Sequence, residues 1–229
     1  MQHSTPSPNP YPSSQPLIIT GMHRSGTSLT TSMLQAAGLD VGEQLLPAGP
    51  ANRQGYFEDI EFVRLHQEIL KSQGVSTEGW VLHNVDVPQQ FLSQVHELCD
   101  RRSRQNALWG WKDPRTTLFL DFWQEQLPNA RFIFPYRAPW EVIDSLFYRG
   151  DEAFVHHPKF AVEVWSAYNQ MILDFCQAHP ETTFLVNCGA LKNHHQDFID
   201  KVAHKFSIAL GELKQSPFKA DEMHTQVSQ

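Results

Sequence analysis

Cysteines and long apolar runs are both scarce in this sequence. The three cysteines are widely spaced and form no CxxC pair, which argues against a disulfide framework and against a structural zinc site. No stretch approaches the ~18 consecutive apolar residues of a membrane-spanning helix, and the N-terminus lacks the apolar segment of a signal peptide. We therefore expect no membrane span and a cytoplasmic location.

Positive charge is scarce as well. The chain has 18 Lys and Arg residues against 25 Asp and Glu residues, which gives a formal net charge of −7 at pH 7. This balance disfavours a nucleic-acid-binding protein and a basic surface for membranes. It still allows a small local cluster of cations around an anionic ligand. We expect no nucleic-acid partner.

The length of 229 residues suits a single domain with short tails. Residues 1–16 contain five of the 15 prolines together with several Ser, Gln and Asn residues, a composition that is typical of a disordered leader. Residues 214–229 are also polar and are interpreted as a C-terminal tail. The remaining residues, 17–213, form the predicted domain.

Short apolar runs alternate with amphipathic stretches along this domain. The apolar runs predict strands at 17–20, 108–112, 131–136 and 182–186. The amphipathic stretches predict helices at 27–38, 59–72, 88–104, 116–127, 139–149, 160–178 and 195–210. This alternation predicts an α/β protein with a three-layer, P-loop-like fold, in which helices flank a mostly parallel central sheet.

The loop GMHRSGTS, residues 21–28, follows the first predicted strand and opens the first predicted helix. It matches the phosphate-binding P-loop pattern at Gly21, Gly26 and Ser28, but Thr27 stands where that pattern has lysine. The backbone N–H groups of such a loop can surround an anion at the positive end of a helix. The alternative interpretation is an ordinary strand-to-helix turn, in which the glycines only allow the bend.

The missing lysine bears on the kind of ligand. In P-loops that bind nucleoside triphosphates, this lysine reaches the outer phosphates. Here His23 and Arg24 lie inside the loop instead and could supply donors from a different direction. A P-loop kinase or another nucleotide-binding phosphotransferase is therefore the second hypothesis. Thr27 disfavours it, as does the lack of an obvious apolar strand that ends in a magnesium-binding Asp.

Two further cations follow predicted strands. Lys112 is the last residue of the second predicted strand, at the carboxyl edge of the sheet, where ligands bind in α/β proteins. Arg137 ends the third strand, and Ser145 lies eight residues further on, within the next helix. Arg137 and Ser145 can close on one anion if that helix folds back over the sheet. The alternatives are a solvated loop lysine and a surface arginine.

In combination, these motifs resemble the sulfotransferase superfamily, which uses 3′-phosphoadenosine 5′-phosphosulfate (PAPS). The resemblance rests on GMHRSGTSL, on KDP, on LPNARFIFPYR and on the spacing from Arg137 to Ser145. It extends from residue 17 to about residue 149 and is strongest to the bacterial and tyrosylprotein branches. Two separate anion sites at one sheet edge also suit a nucleotide that is phosphorylated at both ends.

The resemblance implies a role for each candidate residue. Arg137 and Ser145 would hold the 3′-phosphate, while Lys112 would bind the bridging oxygen and, with Arg24, stabilise the leaving oxygen. The reaction would be in-line transfer of a sulfuryl group to a hydroxyl or amine, and no metal would be needed. The 5′-phosphosulfate would be held by the loop residues Gly21, His23, Arg24, Ser25, Gly26, Thr27 and Ser28.

A general base should take the proton of the acceptor, and four residues are candidates: Glu43, Glu58, Asp59 and His66. We favour Glu58, because its apolar neighbours in GYFED could desolvate the carboxyl group and raise its pKa. The acceptor itself is not readable from the sequence, and a small molecule, a glycan or a peptide all remain open. The third hypothesis is a non-catalytic module that keeps the fold and binds a nucleotide.

Overall fold

The computed structural model describes residues 14–49 and 55–213. Its sheet has four strands in the order β2-β1-β3-β4, and every neighbouring pair is parallel. The strands are β1 (Leu17–Ile19), β2 (Gly110–Lys112), β3 (Arg131–Tyr136) and β4 (Thr183–Asn187). Because the strands are parallel, the loops that follow β1, β2 and β3 leave the sheet at the same edge.

Both faces of the sheet are apolar and covered. In β1, Ile18 packs into one hydrophobic cluster, while Leu17 and Ile19 pack into a second one. In β3, Phe132 joins the first cluster and Ile133 the second. This alternation puts successive side chains on opposite faces. The resulting helix–sheet–helix arrangement confirms the predicted three-layer α/β fold.

The helices divide between the two faces. The second cluster contains residues of α1 (Thr27–Ala36) and α8 (His195–Phe206), whereas the first contains residues of the other long helices. The remaining helices are α2 (Ile60–Ser72), α3 (Leu92–Gln105), α4 (Leu120–Gln126), α5 (Pro139–Arg149), α6 (Glu152–Val155) and α7 (Pro158–Ala178).

Several helix boundaries differ from the prediction for local reasons. The predicted helix at 116–127 is a 3₁₀ segment, Pro114–Phe119, followed by α4. The predicted helix at 195–210 ends at Phe206, because Ser207 has a left-handed backbone conformation with φ 53°. Helix α6 was not predicted, and its four residues are too few to show a helical period.

The described residues begin inside the predicted leader and end before the predicted tail. Ser14 is buried and accepts a hydrogen bond from Trp109 Nε1 at 2.6 Å, and Gln15 N donates to the Ala107 carbonyl at 2.9 Å. The rest of the leader and the whole tail lie outside the described residues. Among the residues that are described, no helix is long and apolar enough to cross a membrane.

Candidate active site

The candidate site lies where β1, β2 and β3 end. Ile19 of β1 is in register with Lys112 of β2 on one side and with Ile133 of β3 on the other. The loop 21–28 therefore begins between the end of β2, which carries Lys112, and the end of β3, which leads to Arg137. The topology alone brings the loop and both predicted cations to one edge.

The loop backbone takes unusual conformations just before α1 begins. Arg24 has φ 66°, which is uncommon for a residue with a side chain, and Gly26 has φ 96°. A Cβ atom at Gly26 would collide with the side chain of Cys188, so only glycine fits this position. Ser25 Oγ donates to the Met22 carbonyl at 2.6 Å and closes the turn. The N-terminus of α1 then begins at Thr27.

Arg24, Arg137 and Ser145 form one cluster beside the loop, which we call the arginine cluster. Arg24 Nε donates to Ser145 Oγ at 2.8 Å, and Arg137 Nη1 donates to the Arg24 carbonyl at 3.1 Å. Burial, with Arg149 and Arg137 nearby, lowers the pKa of the Arg24 guanidinium. Helix α5 folds back over the sheet edge and buries Ser145 against the loop. Two guanidinium groups thus lie close together.

Lys112, Glu58 and Ser28 form the second cluster, which we call the lysine cluster. Lys112 Nζ donates to Glu58 Oε1 and, at 3.3 Å, to Ser28 Oγ. Burial raises the pKa of Glu58 and lowers the pKa of Lys112, and each charge partly offsets the effect on its partner. The other carboxylate oxygen, Glu58 Oε2, is buried and has no hydrogen-bond partner among the described residues.

A sequence model of the sulfotransferase family matches residues 16–209, which is most of the chain. The chain belongs to the sulfotransferase family. No curated protein is significantly similar to it in sequence. The match covers the loop and both clusters, so the candidate site lies within the family's own domain.

Solved structures of sulfotransferases share the fold. The sulfotransferase domain of the Synechococcus PCC 7002 olefin synthase has a TM-score of 0.58 and 18% identity, over 98% of this chain and 83% of that chain. A sulfotransferase domain from the curacin biosynthetic pathway has a TM-score of 0.57 and 17% identity, over 93% and 81%. Sulfotransferase STF9 from Mycobacterium avium has a TM-score of 0.57 and 16% identity, over 93% and 66%.

Asp113 anchors the turn that carries Lys112 in this sulfotransferase. Its buried carboxylate accepts hydrogen bonds from the backbone N–H and the Nη1 of Arg115, at 3.0 and 2.9 Å. Burial alone would raise the pKa of Asp113, but Arg115 and His66 outweigh it and hold that pKa well below its usual range. Thr20 Oγ1 donates to the Asp113 carbonyl at 2.8 Å and ties the turn to β1.

His66 belongs to this anchor, and hydrogen bonds within the fold use both of its ring nitrogens. Its Nε2 accepts from Trp123 Nε1 at 3.1 Å, and an indole N–H can only donate. The ring proton therefore lies on Nδ1, which donates to Asp113 Oδ2 at 2.9 Å. With both ring nitrogens engaged and the side chain fully buried, His66 has no free position for a proton from an acceptor.

The three carboxylates among the candidate bases have different contacts in the structure. Asp59 caps α2 by accepting from the Glu61 backbone N–H at 2.9 Å, and it lies 3.8 Å from Arg102. Glu43 is exposed and accepts from Gln105 at 3.3 Å. Of the four candidates, only Glu58 contacts Lys112 in the part of the chain that the structure describes.

His23 lies on the aromatic side of the loop. Its ring packs against Trp80 at a centroid distance of 4.5 Å and is 6.3 Å from the ring of Tyr168. Burial, together with nearby Arg149 and Arg115, holds the pKa of His23 well below 6.5. Its Nε2 is buried without a hydrogen-bond partner among the described residues. His23 therefore faces a partly exposed tryptophan as a neutral imidazole.

The sequence analysis missed Asp113 and Arg115 as parts of the site. An available signal was the Asp-Pro step after a strand, which is typical of a capped helix start. Asp113 does cap the 3₁₀ segment through the Arg115 backbone N–H.

No group of three or more His, Cys, Asp or Glu side chains in residues 14–49 and 55–213 is arranged to hold a metal ion.

Proposed function

We propose that this sulfotransferase uses PAPS as its donor and transfers the sulfuryl group to a hydroxyl or an amine. The observation that carries the proposal is that one loop, residues 21–28, contacts both the arginine cluster and the lysine cluster. Arg137 contacts the loop at Arg24, in its middle, and Lys112 contacts Ser28, at its end. A nucleotide that is phosphorylated at both ends needs two such sites at a fixed separation.

The chemistry of the side chains fits this donor. The loop amides and Lys112 would hold the 5′-phosphosulfate, because backbone N–H groups at a helix N-terminus favour anions. Arg137 and Ser145 would hold the 3′-phosphate through a guanidinium fork and a hydroxyl, which suit phosphate oxygens. Arg24 lies between the two ends, since its side chain contacts Ser145 and its backbone belongs to the loop.

When bound, the donor supplies a sulfuryl group that is already activated for in-line displacement. Glu58 takes the proton of the acceptor as the acceptor oxygen or nitrogen forms its bond to sulfur. Lys112 and Arg24 stabilise the negative charge that develops on the phosphate oxygen as its bond to sulfur breaks. The loop keeps the reacting atoms in line, a contribution of orientation rather than of covalent chemistry.

The burial of the lysine cluster supports these roles. A carboxylate with a raised pKa holds a proton more readily than an exposed one, and this suits a general base that works near neutral pH. A buried ammonium group acts through a low local dielectric, so its effect on a developing charge is larger than in water. The cytoplasmic location and the nature of the acceptor, whether small molecule, glycan or peptide, stay predictions.

The donor can be tested by ligand-dependent thermal stability. We expect adenosine 3′,5′-bisphosphate to raise the unfolding temperature, and ATP with magnesium to raise it less. Stabilisation by ATP with magnesium alone would favour the P-loop phosphotransferase, and no stabilisation by either would favour a module without this nucleotide site.

Transfer itself is tested by incubation with sulfur-labelled PAPS and panels of phenols, sugars, alcohols, amines and peptides. Lys112→Ala serves as the negative control.

A further inference from the structure

We propose that Glu58 and the sulfuryl donor compete for the ammonium group of Lys112, so that donor binding releases the Glu58 carboxylate and precedes productive binding of the acceptor. The inference rests on the proposed function, because that function assigns Lys112 to the donor and Glu58 to the acceptor. The event is an exchange of hydrogen-bond partners: the ammonium group leaves a carboxylate oxygen and takes a donor oxygen, and no covalent bond changes.

The first argument is that one buried cation, Lys112, would have to serve two anions, the Glu58 carboxylate and the proposed donor. Lys112 is 1% exposed, and its ammonium group contacts Glu58 Oε1 and Ser28 Oγ. A buried charge requires a partner, because its desolvation is costly when the charge is left alone. Glu58 supplies that partner in the structure, and the donor oxygen would supply the alternative. Binding of the donor must therefore overcome the ion pair, which lowers the apparent donor affinity.

The second argument is that the segment carrying Glu58 is tied to the donor loop. Ser28 Oγ accepts from Lys112 and donates to the Tyr56 carbonyl, each at 3.3 Å. Phe57, between Tyr56 and Glu58, has φ 62°, a left-handed conformation that is unfavourable for a residue with a side chain. Such a conformation persists where surrounding contacts hold it. Lys112 and Ser28 provide two of these contacts.

The third argument is that the ion pair is incompletely satisfied on the carboxylate side. Glu58 Oε2 is buried and lacks a hydrogen-bond partner among the described residues. A buried pair contributes fully only when its remaining lone pairs are also satisfied. The pair is therefore suited to exchange, and Oε1, the oxygen that Lys112 would release, would then be available for the proton of an acceptor.

The test measures nucleotide affinity, so it needs no acceptor. Isothermal titration calorimetry compares the nucleotide affinity of the wild-type chain with that of Glu58→Gln. The measurement is made at pH 6.5, because a buried lysine keeps its proton more readily at that pH than at higher pH. We expect Glu58→Gln to bind adenosine 3′,5′-bisphosphate at least about threefold more tightly, as for a pair with a typical coupling energy. Adenosine 3′-monophosphate lacks the 5′-phosphate that Lys112 would contact, and its affinity should not change.

Two further variants make the test specific. Asp59→Asn removes one carboxylate charge next in sequence to Glu58 and should leave bisphosphate affinity unchanged. In a Lys112→Met background, Glu58→Gln should no longer tighten binding. If Glu58→Gln is too unstable to purify, Glu58→Asp replaces it: the shorter carboxylate weakens the pair, so the affinity should again rise.

The outcomes separate the two proposals. Unchanged or weaker bisphosphate affinity in Glu58→Gln, with normal binding by the wild type, overturns the competition and leaves the proposed function standing. Equal tightening in Asp59→Asn, or towards the 3′-monophosphate, shows a general charge effect and overturns it as well. A wild-type chain that binds neither nucleotide refutes the proposed function itself, and the competition fails with it.

Discussion

The two ends of the candidate site neutralise positive charge in different ways. In the lysine cluster, Lys112 is 1% exposed and pairs with Glu58, whose side chain is 9% exposed. In the arginine cluster, Arg24 and Arg137 donate to a hydroxyl and to a carbonyl, and the carboxylate of Glu141, which is 28% exposed, lies 3.4 Å from Arg137. The carboxylate of the lysine cluster is thus buried, whereas the carboxylate beside the arginine cluster is partly exposed.

This difference suggests a division of labour. A buried ion pair holds two groups whose protonation and partners can change together, which is what a proton-transfer step needs. Guanidinium groups beside a partly exposed carboxylate are neutralised less strongly and can still bind an incoming phosphate. We therefore expect the larger losses of turnover from changes in the lysine cluster and the larger losses of donor affinity from changes in the arginine cluster.

The largest expected effect is that of Lys112→Ala. Removal of the ammonium group eliminates the charge that would stabilise the leaving oxygen, and losses of about 10²–10³-fold in kcat are typical for one such group. Donor affinity should change far less, because the loop and the arginine cluster remain. Steady-state kinetics with labelled PAPS give kcat and KM separately, with Lys71→Ala, an exposed lysine on α2, as the control. An unchanged kcat would contradict the assignment.

The next effect is that of Arg137→Ala on donor binding. Loss of a charge-assisted contact to phosphate costs about 1.5–3 kcal/mol, which is roughly 10- to 150-fold in affinity. The rate at saturating donor should fall little, since Arg137 is assigned to the end of the donor that does not react. Titration with adenosine 3′,5′-bisphosphate and kinetics at high donor concentration measure the two quantities. Arg137→Lys keeps the charge but not the fork and should lie between.

A narrowed pH profile is the third expectation. The carboxylate of Glu58 must be ionised and Lys112 must be protonated, so activity rises through the first pKa and falls through the second. Burial raises the first above 4.5 and lowers the second below 10.5, so both limbs move towards neutral pH. The two apparent pKa values of the profile describe the coupled pair rather than either residue alone. A kcat/KM profile whose rising limb lies at or below 4.5 would contradict a buried base.

The sequence predicted those parts of the site that topology brings together. Leu17–Ile19 and the central residues 132–134 of β3 are apolar and buried on both faces, as parallel strands require. The carboxyl ends of parallel strands share an edge, so the loop after β1, Lys112 and Arg137 had to be neighbours. The position of Ser145 followed from one further assumption, that α5 folds back over the sheet.

The sequence could not predict contacts between side chains from distant segments. His66 and Asp113 are 47 residues apart, and Glu58 and Lys112 are 54 apart. No local period encodes such pairs, because they depend on how α2 packs against the turn after β2. For the same reason His66 resembled a candidate base in sequence, although both of its ring nitrogens are used inside the fold.

The smallest expected effect is that of Glu141→Gln, and it tests the contrast between the clusters most directly. Glu141 also places a carboxylate near a cation that is proposed to bind the donor, Arg137, but this pair is partly exposed. Partly exposed ion pairs contribute about 0.2–1 kcal/mol, so removal of the charge should tighten bisphosphate binding by less than about fivefold. This gain should shrink further in high salt, because solvent ions screen the exposed partner. The gain from Glu58→Gln should persist in salt, because both partners of that pair are buried. Equal gains with equal salt dependence would show that burial does not distinguish the two ends.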